Sequence, residues 1–370
     1  SVVEGYRGLS INYLGETKAI PVIADTNGLE YRITMLMKQM TGERVKIGLV
    51  GGHEGPSLEG ELAVLRRVMP TYDLVEVNLE AALPEDIETL LVIAPTAPFS
   101  EAELRKLDAF VMGGGSLGVF GGGIKLEEAQ TLSASPVDSG LNRLLERWGV
   151  KINSDVLGDA RCQVIGVRSA MGMVPRPYPP LAIVQFTDEQ AEHPATYRLT
   201  EARMPFSSTL TLTDAPEGVE RSVLATSSEQ SWSITGSPID LNQNQRWTLS
   251  GPVGPFPLVV ALEGKLPSAF AGNQSSEAGA AMGPAESTED VRVLVFGSGA
   301  APIIQLPQGQ EVADEELAAA LALPLNAVDW LANDDDLIAI RAKTVDEPSL
   351  DIPQAVLEAQ DEETQAIENR

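Results

Sequence analysis

The chain has 370 residues, of which 43% are hydrophobic, and these values predict roughly two or three globular domains and exclude wholesale disorder and a fibrous repeat. The 53 acidic residues outnumber the 26 basic residues, so the formal net charge is −27 at pH 7. So negative a surface repels phosphate backbones and anionic lipid, which excludes binding to nucleic acid or to a membrane surface through overall charge. Much of the acidity lies in residues 271–370, which hold 20 acidic and 4 basic residues.

Strands and helices alternate along the first 160 residues. Short runs of apolar residues predict the strands, and apolar residues at helical spacing predict the helices, one of which begins with a capping box of Ser100 and Glu103. The predicted strands, in chain order, lie at 6–13, 19–23, 45–50, 72–79, 90–96 and 116–120, and the predicted helices at 29–40, 57–69, 101–112 and 141–150. This alternation predicts a parallel sheet covered on both faces, and right-handed crossovers make it a doubly wound, flavodoxin-like α/β unit.

Composition divides the chain into five segments. The first part of the α/β sheet domain is followed by a β-rich section that forms an insertion or a second layer, and then by a small-residue flexible linker or loop. A late apolar strand with helices after it is expected to rejoin the first sheet, and an acidic tail ends the chain. The predicted bounds of these segments are 1–160, 161–265, 266–290, 291–345 and 346–370.

The cysteine content, the apolar runs and the first residue limit which disulfides, membrane spans and leader sequences this chain is expected to contain. Cys162 is the single cysteine, which excludes an intramolecular disulfide and a thiolate zinc cluster. No apolar run reaches the roughly 18–20 residues of a membrane span, and the start lacks the features of a signal peptide. Because a native chain normally begins with Met, Ser1 suggests a processed or truncated product whose membrane segments lie outside this chain.

A candidate binding site is predicted where strands of the parallel sheet end. His53 and Glu54 follow the first core strand, at the rim where doubly wound folds bind ligands; the alternative is a glycine turn in which His53 is exposed or caps a helix. Glycines follow the strand at 116–120, where many α/β hydrolases and glutamine amidotransferases carry a nucleophile. Glycine has no reactive group, so this position predicts a crevice rather than covalent catalysis. The candidate ligand- or partner-binding residues are Gly51, Gly52, His53, Glu54, Thr96, Gly121, Gly122 and Gly123.

Other chemical motifs are interpreted as structural. GGGSLG (113–118) matches the dinucleotide fingerprint and the nucleophile elbow, but both require a strand before the glycines and a helix after them, whereas the predicted order is the reverse. Cys162 is predicted to be a buried structural residue, and Asp334–Asp336 a solvated turn without the spacing of a calcium loop. The chain has only two histidines, His53 and His193, and its sequence predicts no metal and no cofactor.

The order of segments resembles one known family. YRGLSINY, LVGGHEG, LLVIAPTAPFSEAELRKLDAFVMGGGSLGVF, HPATYRL, MPFSSTL, GPFPLVVALEG and LNAVDWLANDDDLIAIRAK follow one another over roughly residues 4–344. This order resembles the extracytoplasmic domain of GldG-type auxiliary components of ABC transporters, a family associated with gliding motility in some bacteria. One departure follows VLVFG, where SGAAP (298–302) replaces the family's acidic and polar residues.

The resemblance implies a location, partners and a fold. It implies a domain on the periplasmic face of the bacterial inner membrane, anchored by helices outside this chain and paired with an ABC permease and an ATPase subunit. It implies a fold like that of class I glutamine amidotransferases and the related domain of an intraflagellar-transport subunit, in which catalytic residues are lost. It also implies an α/β segment upstream of this chain, and it carries no catalytic residue over.

These observations predict a non-enzymatic binding or scaffold domain of an ABC transport system. The first alternative is a hydrolase or amidotransferase-like enzyme that uses His53, Glu54 and a serine such as Ser116 or Ser298, which requires a hydrogen bond between that serine and a histidine. The second alternative is a carbohydrate-binding module, for which Trp232 is the first candidate stacking platform.

Overall fold

A computed structural model describes residues 8–20, 33–34, 36–37, 40, 44–128, 131–169, 172–197, 199–271, 284–304 and 312–332. Several predictions lie outside these ranges. They concern the strand beyond residue 20, most of the helix at 29–40, linker residues 272–283, the turn at Asp334–Asp336 and the tail at 346–370.

The described part of the chain contains more strand than helix. The strands are β1 (Leu9–Tyr13), β2 (Glu16–Ile20), β3 (Val45–Val50), β4 (Tyr72–Val77), β5 (Ile87–Ile93), β6 (Ser116–Phe120), β7 (Ile124–Glu128), β8 (Leu132–Pro136), β9 (Val150–Ile152), β10 (Val156–Asp159), β11 (Cys162–Ser169), β12 (Gly172–Gln185), β13 (Glu201–Pro205), β14 (Leu210–Leu212), β15 (Val219–Thr226), β16 (Ser231–Ile234), β17 (Ile239–Asp240), β18 (Pro257–Gly264) and β19 (Val291–Phe296). The α-helices are α1 (Ala63–Val68), α2 (Glu101–Met112), α3 (Asn142–Leu145), α4 (Asp188–Glu192), α5 (Asp314–Ala320) and α6 (Ala322–Leu331), and two 3₁₀ turns lie at Glu146–Trp148 and Pro194–Thr196.

The largest sheet has seven strands in the order β15-β18-β19-β6-β5-β3-β4. The five strands from β19 to β4 are parallel, and β18 and β15 extend the sheet in antiparallel orientation. Strand β3 has β4 on one side and β5 on the other, so the direction of the crossovers reverses between β3 and β5. In an open α/β sheet such a reversal leaves a crevice at the carboxyl ends of the two strands.

Apolar side chains cover both faces of this sheet. Successive residues of a strand point to opposite faces, and β5 illustrates this alternation. Leu91 and Ile93 belong to a core shared with helices α1, α5 and α6, whereas Leu90 and Val92 belong to a second core shared with helix α2. Strand β6 is buried along its whole length. Burial on both faces explains why these strands are continuous apolar runs in the sequence.

Helix α2 begins and ends as predicted. Ser100 accepts a hydrogen bond from the backbone N–H of Glu103, and the Glu103 side chain accepts one from the backbone of Ser100, which completes the capping box. The helix ends at Gly113, and β6 begins at Ser116. The order of elements around GGGSLG is therefore helix, glycines, strand, and it confirms the structural interpretation of this motif.

Three local predictions need correction. The helix predicted at 57–69 begins only at Ala63, since turns occupy residues 58–62. The helix predicted at 141–150 stops early, because Gly149 adopts a left-handed conformation (φ 84°) and β9 begins at Val150. The β-rich section also contains helix α4, whose N-cap Thr187 forms a capping box with Gln190.

Beyond β9, most strands form small antiparallel sheets. Strands β11, β12 and β13 make one three-stranded sheet, and β10 pairs with β16. Two strands of the predicted β-rich section, β15 and β18, instead join the large sheet, and the late strand β19 pairs with β6 in parallel. The segment between residues 161 and 265 therefore contributes both to the large sheet and to the small sheets beside it.

His193 makes the stability of this fold depend on pH. Its Nδ1 atom accepts a hydrogen bond from the N–H of Ala195 (3.1 Å), and its ring lies 5.1 Å from the ring of Trp330. Burial lowers the pKa of His193 to about 4, and the positive charge of Arg292 lowers it further while Glu263 opposes the shift. Because the unfolded chain takes up this proton near pH 6.5, we expect stability to fall as the pH drops from about 6.5 towards about 4.

We expect a His193→Asn variant to lose less stability over this pH range. Asparagine retains a side-chain acceptor for the N–H of Ala195 but does not titrate. The difference between the wild type and the variant should be about 3 kcal/mol at pH 4 relative to pH 7. Urea denaturation at both pH values measures it, and equal pH dependence of the two proteins would contradict the prediction.

Candidate functional site

The site is built from loops at the carboxyl ends of the parallel strands. The loop after β5 lies between its neighbours, because the N–H of Ala94 donates to the carbonyl of Phe120 (2.7 Å) at the end of β6. The N–H groups of Thr96 and Ala97 both donate to the carbonyl of His53 (2.9 Å each). The loops after β3, β5 and β6 thus form one continuous edge, as the rim argument predicts.

Glu54 is the centre of a polar cluster on this edge. Its Oε2 atom accepts hydrogen bonds from Lys125 Nζ (2.6 Å) and from Thr96 Oγ1 (3.1 Å). The hydrogen bonds from Lys125 and Thr96, together with the charge of Lys125, lower the pKa of Glu54, and the pKa of Lys125 is raised by the same pairing. The structure therefore joins two predicted residues, Glu54 and Thr96, to Lys125, which the sequence analysis did not single out.

The side chain of His53 packs away from this cluster, against the start of helix α2. Its ring stacks on Phe99 with a centroid distance of 3.7 Å, and its Nε2 atom lies 3.2 Å from Glu103 Oε1. The side chain is only 12% exposed, so the alternative of an exposed histidine is wrong. Its Nδ1 atom is buried and has no hydrogen-bond partner among the described residues.

Glu103 connects His53 to the capping box of α2. The carboxylate accepts hydrogen bonds from the backbone N–H (2.8 Å) and the hydroxyl (2.7 Å) of Ser100. Burial acts to raise the pKa of Glu103, but the hydrogen bonds from Ser100 and His53 outweigh it, and the pKa is lowered. This arrangement fixes the loop after β3 to the helix that follows β5.

Backbone strain is concentrated at the site. Among the described non-glycine residues, five have positive φ, and four of these lie at this edge of the sheet: His53 (55°), Glu54 (55°), Ala94 (44°) and Phe206 (48°). Each such residue costs on the order of 1–3 kcal/mol and persists only where the surrounding structure holds it in place. Clusters of strained residues are typical of binding and catalytic sites.

The glycines of the site differ in their surroundings. Gly51 lies beside β4, since its N–H donates to the carbonyl of Val77 (2.9 Å), and Gly52 is left-handed (φ 84°). After β6, a Cβ atom on Gly123 would lie 2.1 Å from the carbonyl oxygen of Asn153, whereas one on Gly122 would meet nothing closer than 3.6 Å. Glycine is therefore required at position 123 by close packing, but not at position 122.

Gly121 also has little free space around it, because a Cβ atom there would lie 2.9 Å from the Ile152 side chain. Its N–H donates to the carbonyl of Phe296 (3.2 Å) at the end of β19. The ends of β6 and β19 are thereby joined beyond the last residues of the strands.

A cavity of about 390 Å³ opens at this edge. Glu54, Thr96 and Lys125 line its polar side, and Gly122 lies in its wall. The apolar lining includes Ile124, Leu126, Phe206 and Ile303. Its volume is at the lower end of the range for small-ligand pockets, roughly 300–1,000 Å³. Phe206 and Ile303 come from late segments of the chain that the sequence analysis did not connect with the site.

The buried carboxylate of Asp155 accepts hydrogen bonds from segments that lie beside the site. Asp155 is 3% exposed, and it accepts hydrogen bonds from the N–H (2.9 Å) and hydroxyl (2.7 Å) of Thr209 and from the hydroxyl of Ser233 (2.5 Å). The hydroxyl of Ser208 donates to the backbone carbonyl of Asp155 (2.8 Å) and accepts a hydrogen bond from the N–H of Gly123 (2.9 Å). This network connects the segment MPFSSTL to the glycines after β6.

Neither Ser116 nor Ser298, the serines of the enzyme hypothesis, is hydrogen-bonded to a histidine in the described part of the chain. Ser116 begins β6, at the edge of the sheet opposite the site. Ser298 is fully buried near the site, and its hydroxyl donates to the carbonyl of Pro205 (2.5 Å). No hydrogen bond within the described ranges joins either serine to His53 or His193.

The remaining candidates have structural surroundings. Trp232 is 3% exposed and packs against Gly158, so it does not present a ring to a sugar and the prediction of a stacking platform is wrong. Cys162 is half-buried rather than buried, and burial raises the pKa of its thiol, which disfavours the reactive thiolate. The residues that the structure describes contain no group of three or more side chains able to hold a metal ion.

Helices of membrane-spanning length and apolarity are absent from the described residues.

Comparison with known proteins finds a distant relative and weakly similar solved structures. A protein of Borreliella burgdorferi is 25% identical over 240 residues, which are 63% of this chain and 47% of that protein, so the chain spans about half the length of this relative. The solved structure titled "mmIFT52 N-terminal domain" is 13% identical, with a TM-score of 0.44 over 78% of this chain and 97% of that one. A putative thua-like protein from Parabacteroides merdae is 11% identical, with a TM-score of 0.38 over 79% and 91%.

The family model described as "ABC-type uncharacterized transport system", which represents auxiliary components, matches residues 44–327. The match includes every strand of the large sheet and the loops that form the candidate site. The chain therefore belongs to the family of auxiliary components of ABC-type transport systems.

Proposed function

We propose that this chain is a non-enzymatic, extracytoplasmic binding domain of an ABC transport system, and that the crevice after β3, β5 and β6 holds a loop of a transporter subunit. The observation that carries the proposal is the glycine at position 122, in the wall of the cavity, where a nucleophile is expected in related enzymes. A Cβ atom fits there, so packing does not force this position to be glycine. The empty side-chain position leaves room for a partner.

The polar groups around the cavity support binding rather than bond cleavage. Glu54 is neutralised by Lys125, and Thr96 donates to the same carboxylate. The hydroxyl of Ser298 is hydrogen-bonded to a backbone carbonyl. Glu61 is a second carboxylate of the lining, so a formal charge of −1 remains beside the Glu54–Lys125 pair. Such a mouth above an apolar lining matches a loop that inserts an apolar side chain and donates hydrogen bonds at the rim.

The fold and partners belong to the same proposal. We infer a flavodoxin-like sheet of the class I glutamine amidotransferase-like kind, supported by the five parallel strands and by the crossover reversal between β3 and β5. The partners are the permease and ATPase subunits of the transporter, and helices outside this chain anchor the protein at the periplasmic face of the inner membrane. Where a gliding bacterium carries such a transport system, we infer that the transporter serves motility.

Co-purification tests this function. The full-length protein is expressed with its permease and ATPase subunits, and the subunits recovered with it are quantified after solubilisation in mild detergent. A Gly122→Leu variant places a leucine side chain in the wall of the cavity, and an Ala63→Leu variant places the same side chain on the exposed face of α1. We expect Gly122→Leu to lose the permease while Ala63→Leu retains it. Retention by both variants, or recovery of neither subunit with the wild type, would contradict the proposal.

A further inference from the structure

The hairpin formed by β11 and β12 extends past the sheet to which it belongs. Strand β12 pairs with β13 only through Leu181–Gln185. Farther out, β11 and β12 pair only with each other, in register from Val164 opposite Pro177 to Ser169 opposite Gly172. These six residue pairs span about 20 Å at the rise of an antiparallel strand.

One face of this hairpin exposes apolar side chains. The register places Val164, Gly166 and Arg168 on the same face as Met173, Pro175 and Pro177. Val164 is 63% exposed and Met173 is 66% exposed, and the Met173 side chain lies over Gly166. On the other face Val167 is 3% exposed, Val174 is half-buried and Arg176 is exposed. The hairpin therefore has an apolar face that is open to solvent and an opposite face that is partly covered.

The charge of the hairpin is opposite to that of the chain. Residues 160–187 contain three arginines and no acidic residue, in a chain of net charge −27. Arg161, Arg168 and Arg176 are all exposed, and none of them forms an ion pair with a carboxylate of the described ranges. Their charge is thus available to an anionic partner, which the rest of the surface repels.

We propose that this projecting part of the hairpin binds the anionic headgroup layer of a membrane, with its apolar face inserted, Arg168 on that face and Arg176 on the opposite face of the same narrow ribbon. Arginines beside exposed apolar side chains are typical of segments that lie in the membrane interface, where the arginines bind phosphates and the apolar groups enter the acyl boundary. A protein partner usually requires a pocket for its anchoring side chain, and this face is a narrow two-stranded ribbon. Since the body of the protein is acidic, binding through the hairpin orients the domain with the rest of its surface away from the membrane.

Vesicle flotation tests the proposal with the 370-residue chain. The wild type is mixed with vesicles of phosphatidylethanolamine and phosphatidylglycerol, or of phosphatidylcholine alone, at low and at physiological salt. We expect flotation with the anionic vesicles only, weakening as salt increases. An Arg168→Gln/Arg176→Gln variant should reduce the partition coefficient about 25-fold, since one basic residue near an anionic surface contributes roughly a fivefold change.

Two further variants separate the hairpin from non-specific effects. Val164→Ser/Met173→Ser removes the apolar groups and should reduce partitioning about tenfold or more. Arg66→Gln/Arg147→Gln removes the same charge from exposed positions on other elements and should leave partitioning within about twofold of the wild type. Circular dichroism establishes that each variant is folded. The proposal is overturned if the folded wild type does not float, floats equally with neutral vesicles, or loses binding to the same extent in both arginine variants.

Discussion

Replacing Asp155 by alanine is expected to lower the free energy of unfolding by about 3–5 kcal/mol, since three donors lose their acceptor and each buried unsatisfied donor costs on the order of 1–3 kcal/mol. The donors are two groups of Thr209 and the hydroxyl of Ser233, and all lie where water has little access. Asp155 therefore holds together three segments that are distant in sequence. Urea denaturation followed by circular dichroism measures the change.

The exposed carboxylate of Glu217 provides the control for Asp155. Glu217→Ala should change the unfolding free energy by less than about 0.5 kcal/mol, as surface substitutions usually do. Asp155→Asn keeps one acceptor oxygen of the same shape, so its loss should be smaller than that of Asp155→Ala. If Asp155→Ala is as stable as Glu217→Ala, the buried network does not hold the site together and this part of the account is wrong.

Neighbouring glycines after β6 are expected to respond very differently to alanine. Gly123→Ala should lose about 3 kcal/mol or more, because its Cβ atom would lie 2.1 Å from the carbonyl oxygen of Asn153 and 2.6 Å from Ser154 Cα, both in the backbone. Gly122→Ala should stay within about 0.5 kcal/mol of the wild type, since its Cβ atom would have ordinary contacts. Chemical denaturation of the two variants in parallel measures the difference.

The pair serves as its own control, because the two substitutions are chemically identical and adjacent in sequence. Equal loss of stability in both variants would indicate that the turn as a whole requires glycine. Packing would then force glycine at position 122 as well, and this glycine would no longer support the proposal of a binding crevice.

The large sheet could be predicted from the sequence wherever its strands are buried on both faces. The apolar runs at β3, β5, β6 and β19 identify these strands, and the capping box of Ser100 and Glu103 identifies the start of α2. The antiparallel addition of β15 and β18 was not predicted, because pairing between distant segments depends on tertiary contacts rather than on local pattern. The flavodoxin-like class itself stays a prediction.

The candidate site was predictable in part for a geometric reason. Parallel strands bring their carboxyl ends to one edge, so Glu54 was found from its position after β3 and Thr96 from its position at the end of the strand predicted at 90–96. Lys125 and Phe206 were missed because neither directly follows a strand of the parallel sheet: Lys125 lies within β7, and Phe206 follows β13. The conformation of His53 was also not predictable, since its packing on Phe99 depends on how the loop after β5 folds back.

Site-specific photo-crosslinking in cells that make the whole transport system tests the binding crevice most directly. A photoreactive amino acid is placed at Leu126, which lines the cavity and is 37% exposed, or at Glu88, an exposed residue near the opposite end of β5. We expect a crosslink to the permease from position 126 and none from position 88. Crosslinking from position 88 alone, or none from position 126 in cells where the complex is assembled, would contradict the assignment of this crevice as the binding site.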